Sequence, residues 1–227
     1  MIAGFIPDSH RGQVDLSPSP NHSSAMSSQP SPRLILASGS AYRRELLARL
    51  RLPFEVIPPD LDETAAPGET PPDTAMRLAR AKAEAVAHQV GPALIIGSDQ
   101  VATLDGEHIG KPGNHARALE QLKKMRGRAM VFHSALCLLD SRPDAKHGSQ
   151  LASIQTVVRL RDLPDEALDA YLRIEQPYDC AGSAKNEGLG IALMESINSE
   201  DPTALTGLPL IALTSMLRRA GVEFFHG

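Results

Sequence analysis

Cysteine is scarce in this chain. Cys137 and Cys180 are the full complement, which excludes a disulfide framework, and Cys137 inside Ala135-Leu136-Cys137-Leu138-Leu139 reads as a small buried hydrophobe. Tryptophan is absent and aromatics make up 4% of the residues, so there is no stacking platform for long single strands. Basic blocks are missing beyond Lys123-Lys124-Met125-Arg126-Gly127-Arg128, and with a formal net charge of −4 broad nucleic-acid binding is not expected. No run approaches the roughly 20 apolar residues that span a bilayer, and no apolar signal-type segment occurs, so a cytoplasmic location without a membrane partner is expected. His108 and His115 lack ligand spacing with any other His or Cys, which argues against zinc.

Serine and proline dominate the beginning of the chain. Residues 1–32, including Ser17-Pro18-Ser19-Pro20 and Ser27-Ser28-Gln29-Pro30, have no apolar face and read as a disordered arm, and Met26 offers an alternative start. Residues 33–227 read as a single domain in which strands and helices alternate. The spacing predicts strands over Leu34–Ala37, Phe54–Ile57, Leu94–Ile96, Val101–Leu104, Glu107–Ile109, Ala129–Leu139, Gln150–Leu160 and Ile191–Glu195. Helices are expected over 42–50, from about Asp73 to Val90 with a cap near Thr70, and over about 116–125, 164–174 and 210–219. Asp105-Gly106 is a hairpin signal. The expected fold class is α/β, a mixed twisted sheet flanked by helices with a cleft between two lobes.

Polar residues recur where this pattern places strand ends. Ser38-Gly39-Ser40-Ala41-Tyr42-Arg43-Arg44 joins the first strand to a helix start, where free N–H groups favour an anion and two arginines oppose the helix dipole. A phosphate chain would compensate them; a solvated arginine pair is the plainer alternative. Lys82 falls within the apolar stripe of Ala75, Leu78, Ala79 and Val86, either snorkelling at its edge or reaching into a negatively charged site. Gly97-Ser98-Asp99-Gln100 follows an apolar strand, so Asp99 is either a turn residue or a metal ligand or general base. Glu63 and Lys111, the latter in Gly110-Lys111-Pro112, complete the parts of a triphosphate site with a divalent cation. Gly182, Gly188 and Gly190 bracket Glu187, whose carboxylate is either solvated or suited to the donor edge of guanine.

Together these residues resemble the Maf family of nucleotide pyrophosphatases, over essentially all of Arg33 to Gly221. Ser38, Ser40, Arg43 and Arg44 match its Ser-x-Ser-x-x-Arg-Arg opening, with Ala41 where the family commonly has proline. Gly97-Ser98-Asp99, Lys82, Gly110-Lys111-Pro112 and Gly182 to Gly190 match four further motifs. The resemblance implies an inosine-triphosphate-pyrophosphatase-like fold, Asp99 as proton acceptor, and phosphate binding by Ser38, Ser40, Arg43, Arg44, Lys82 and Lys111. It also implies a divalent cation (Mg²⁺, Mn²⁺ or Co²⁺) at Asp99 and Glu63, and a homodimer. Tyr42, Gln100 and Glu187 resemble the branch that hydrolyses 7-methylguanosine triphosphate rather than the branch acting on dTTP and UTP, which carries arginine, threonine and glutamine there. Stacking on Tyr42 would add a cation–π term for a positive ring. A nucleotide-binding regulator of cell division without turnover is the alternative of another class. A Rossmann oxidoreductase is disfavoured, because no Gly-x-Gly-x-x-Gly follows the first strand.

Overall fold

The computed structural model describes residues 32–225. The Ser/Pro-rich arm expected over 1–32 therefore lies outside the described residues, apart from Pro32.

The strand β1 (Leu34–Ala37) is buried along its whole length, as a continuous apolar run at the centre of a parallel pairing must be. It pairs in parallel with β2 (Glu55–Val56) on one side and with β3 (Leu94–Leu104) on the other. The helices α1 (Ala41–Ala48) and α2 (Pro71–Ala87) lie in the connections, the latter capped by Thr70 with prolines in its first turn. β4 (Glu107–Ile109) folds back on β3 through Asp105-Gly106, both at positive φ (52° and 86°), the primed turn that the sequence predicts. After α3 (His115–Met125) come the long antiparallel strands β5 (Ala129–Asp140) and β6 (Ser149–Leu160). The chain closes with α4 (Asp165–Glu175), β7 (Met194–Ser199) and α5 (Leu210–Arg219). The sheet order is β2-β1-β3-β5-β6-β7, with β4 also on β3.

Four expectations change. Leu94–Ile96 and Val101–Leu104 are one strand: β3 runs unbroken for 11 residues, pairing with β5 from Leu94↔Asp140 to Leu104↔Met130. Asp99 is therefore in mid-strand and not at a strand mouth. Gly97 looked like a turn residue, but it is the point where α2 packs directly on the sheet; a Cβ there would lie 2.0 Å from the Ala79 carbonyl oxygen and 2.8 Å from the Ala83 nitrogen. The late strand begins at Met194 and not at Ile191, because Leu189–Leu193 is wound into 3₁₀ turns before β7 joins β6. β2 shortens to two residues at the sheet edge.

One feature of the pairing makes the cleft. β1 accompanies β3 only to Gly97, and β4 joins it only from Ala102. Residues 98–101 keep β5 on one side, while among the described residues no strand pairs with them on the other. The flanking cores diverge there. On one side Leu46, Leu47, Leu213 and Leu217 of α1 and α5 cover one sheet face, and Ala75, Ala79, Ala83 and Val86 of α2 cover the other. On the far side Leu122, Met125, Leu168 and Leu172 of α3 and α4 form a separate core with Met130 and Val158. The expected two lobes are these. Among the described residues, no helix is long and apolar enough to cross a membrane.

Gly97→Ala tests the helix–strand contact. Overpacking of this kind costs about 1–3 kcal/mol. A fall in Tm of roughly 3–10 °C is expected by thermal denaturation.

Candidate active site

The start of α1 builds the first wall of the cleft. Ser40 caps the helix, its Oγ accepting from Arg43 N at 3.4 Å, and Ser38 Oγ accepts from Ser40 N at 3.1 Å and from the Arg43 guanidinium at 3.5 Å. No acidic residue occupies the first turn, so the N–H groups and the arginine keep their preference for an external anion. Arg43 Nε donates to the Gly207 carbonyl at 2.9 Å, which aims the half-buried guanidinium. Burial lowers its pKa, and the nearby charges of Asp99 and Glu63 pull it back up. Arg44 is exposed and is not among the residues lining the cleft. A helix turns about 100° per residue, so two consecutive arginines do not share one face.

Lys82 is the centre of the site. It is 5% exposed, on the face of α2 that packs against β3, and its ammonium lies 2.6 Å from Asp99 Oδ1 and 2.8 Å from Glu63 Oε1. A buried lysine needs a partner, and this one has two. The snorkelling alternative does not hold. Glu63 reaches in from the loop before α2. Farther along that loop Glu69 takes Arg77 Nε at 2.7 Å, the Ala66 N–H at 2.9 Å and the Thr74 hydroxyl at 2.9 Å. Arg77's hydrogen bonds, seconded by the Ala66 N–H, hold the Glu69 carboxyl down at about 2.

The loop between β7 and α5, which sequence reasoning passed over, ties the site together. Gly207 O accepts from both Arg43 and the Ser98 hydroxyl, the latter at 2.9 Å. Ala204 O accepts from the Ser134 hydroxyl at 2.8 Å. Gln100 Nε2 donates to Ser134 Oγ, Ala204 O and Leu205 O at 2.8–3.0 Å, so its donors bind the loop and only Oε1 is left for a ligand. Asp201, 1% exposed, fixes the loop by accepting from Thr203 N and Oγ1 and from Ile211 N at the start of α5. Asp201-Pro202-Thr203 was the available signal: an aspartate two residues before a threonine is an Asx turn.

The other end of the cleft has different chemistry. Tyr42, half-buried, stands near Asp179, Cys180 and Glu187. Burial first, then the neighbouring Cys180, Asp179 and Glu187, pushes its phenol up to about 12. Glu187 is exposed on its loop, yet the surrounding protein raises its carboxyl pKa, opposed by Lys185 and reinforced by Glu175 and Glu45. Met130, Phe132, Met194 and Leu205 give the cleft an apolar floor, with Gly182 lying so close above that a Cβ would meet Met130 Cε at 2.9 Å. Lys111 lines the rim and is exposed. The whole cavity, about 1080 Å³, runs from Ser38, Arg43, Lys82 and Asp99 to Tyr42 and Glu187. It is large enough for a nucleotide.

Among the described residues no group of three or more His, Cys, Asp or Glu is placed to hold a metal ion. Asp99 and Glu63 do converge, through Lys82, and supply hard carboxylate oxygens. Such a pair fits a divalent cation of the Mg²⁺ kind, which binds through one or two carboxylates together with substrate phosphates.

A half-open mixed sheet with a cationic, carboxylate-bearing cleft at its divergence defines the class as an α/β anion-binding domain. The family model described as "Maf-like protein" matches residues 33–220, and the chain belongs to that family. A protein of Cupriavidus pinatubonensis is 64% identical over 200 residues, covering 88% of this chain and 99% of the relative. One of Ralstonia nicotianae is 64% identical over 194 residues (86% and 98%), and one of Burkholderia pseudomallei is 65% identical over 197 (86% and 90%). All three are named 7-methyl-GTP pyrophosphatase.

Tyr42 and Tyr171 both have phenols pushed up to about 12. Any stability that comes from keeping Tyr42 neutral is whole below its ordinary value of 10.0 and is lost as pH rises toward 12. In a phenolate absorbance titration, Tyr42→Phe should remove about half of the component centred near 12.

Proposed function

We propose that this protein hydrolyses 7-methylguanosine triphosphate to 7-methylguanosine monophosphate and diphosphate, removing a modified nucleotide before it enters nucleic acid. The observation that carries the reading is a single cleft with Arg43, Lys82, Asp99 and Glu63 at one end and Tyr42 and Glu187 at the other. The name shared by relatives at 64–65% identity supports the choice of base.

In this reading the Ser38–Arg43 turn, Lys82 and the rim residue Lys111 hold the triphosphate by charge-assisted hydrogen bonds. Asp99, whose Oδ1 is fixed by Lys82, orients a water toward the α-phosphorus and takes its proton. The water oxygen bonds to phosphorus, the bridging oxygen to the β-phosphorus leaves, and diphosphate departs. A divalent cation held by Asp99 and Glu63 would neutralise charge on the phosphate oxygens. Tyr42 stacks on the methylated ring, whose positive charge adds a cation–π attraction, and the Glu187 carboxylate accepts from its N1–H and amino donors. A homodimer in the cytoplasm belongs to the same proposal and rests on the family resemblance; size-exclusion chromatography with light scattering tests the oligomer.

Asp99→Asn should lower kcat by 10²-fold or more with an unchanged circular dichroism spectrum, since an amide oxygen is a poor proton acceptor. Turnover near wild type would remove Asp99 from the chemistry. Nucleotide binding without diphosphate release from any substrate would favour a binding protein instead.

A kcat/KM panel over 7-methyl-GTP, GTP, dTTP and UTP tests the base. Glu187→Gln should cut kcat/KM for the methylated substrate by about 10- to 150-fold, the equivalent of a charge-assisted bond of roughly 1.5–3 kcal/mol. Activity on dTTP should fall much less. A wild-type preference for dTTP or UTP would overturn the base assignment and leave the pyrophosphatase reading standing.

A further inference from the structure

Glu187 is carried on a short loop, residues 185–190. Residues 185–190 close on themselves: Gly188 N donates to Lys185 O at 3.1 Å, and Gly190 lies so near that a Cβ would be 2.4 Å from the same oxygen. Asn186 Nδ2 ties this small ring to the β7–α5 loop by donating to Thr206 Oγ1 at 3.2 Å, and α4 holds its backbone. Tyr171 Oη accepts from Lys185 N at 3.2 Å, and Glu175 Oε2 accepts from Leu189 N at 2.9 Å. Tyr171 and Glu175 are four residues apart and share one helix face. Their acceptors therefore grip the N–H groups two residues before and two residues after Glu187. Gly188 permits the approach, since a Cβ there would fall 2.9 Å from both Glu175 oxygens. Lys185 Nζ lies 3.9 Å from Glu175 Oε1, a third tie to α4.

We propose that Tyr171 and Glu175 are positioning residues for base selection: one face of α4 clamps the 185–190 loop so that Glu187 is presented to the base lying over Tyr42. The inference rests on the preceding reading of Glu187 as the base acceptor. Neither clamp residue touches the substrate, and both act through the loop backbone. Glutamine at 175 keeps an oxygen for Leu189 N, whereas alanine does not, so the two variants separate the backbone tie from side-chain charge.

The test uses the full-length protein and two readouts. Amide exchange by mass spectrometry should show the 185–190 segment exchanging about tenfold faster or more in Glu175→Ala, and near wild type in Glu175→Gln. Tyr171→Phe, which keeps the packing, should loosen the same segment and covers the case in which Glu175→Ala folds poorly. In kinetics, Glu175→Ala should lower kcat/KM for 7-methyl-GTP about tenfold through KM, leave kcat and UTP hydrolysis unchanged, and add little further loss on a Glu187→Gln background. Unchanged exchange in both Glu175→Ala and Tyr171→Phe, or losses at 175 and 187 that multiply in full, would overturn the clamp. If wild type shows no preference for the methylated base, the base-selection reading falls, and the exchange comparison by itself upholds or overturns the clamp.

Discussion

A buried ammonium between two carboxylates organises this molecule. Lys82 is 5% exposed and stands between the buried Asp99 and the exposed Glu63, so α2 and β3 must keep their places for the buried pair to form. Removing one partner from a buried pair costs about 3–5 kcal/mol, whereas a hydrophobic replacement of the whole set is often neutral. The triad is therefore better explained by function than by stability. A cation that holds two carboxylates together also keeps an oxygen-rich pocket compact.

The rest of the fold serves that contact. Gly97 lets the α2 backbone touch β3, which brings Lys82 within reach of Asp99. The gap between the end of the β1 pairing and the start of the β4 pairing gives Asp99 and Gln100 an open side. The β7–α5 loop then closes over, with Gly207 gripping Arg43 and Ser98 and the Ala204 and Leu205 carbonyls gripping Gln100. Much of the polar structure near the cleft thus orients groups that face it without being exposed to it.

The cleft divides its labour by dielectric and charge. One end gathers cationic and carboxylate side chains around rigid backbone, suited to a polyanion and its counter-ion. The other sets a phenol and a carboxylate above methionines, phenylalanine and leucine, suited to a flat ring that carries positive charge. The loop carrying Glu187 is held by α4 through Tyr171 and Glu175, and by the β7–α5 loop through Asn186 Nδ2, which donates to Thr206 Oγ1 at 3.2 Å.

The sequence by itself determined the alternation of elements, the Asp105-Gly106 turn, the Thr70 cap and several charged residues of the cleft, because these depend on local backbone preference and on residue types that chemistry reserves for sites. Lys82 announced itself by breaking an apolar stripe. The tertiary structure decided what long-range packing alone can fix. It made β3 continuous through a glycine that looked like a turn, since only packing reveals that the backbone of the preceding helix α2 rests on Gly97. It turned Arg44 away from the cleft by helical phase, committed the Gln100 donors to a loop about a hundred residues downstream, and started β7 three residues late, where edge pairing with β6 became available. Apart from the helical phase of Arg44, each outcome depends on a partner in another element of the fold.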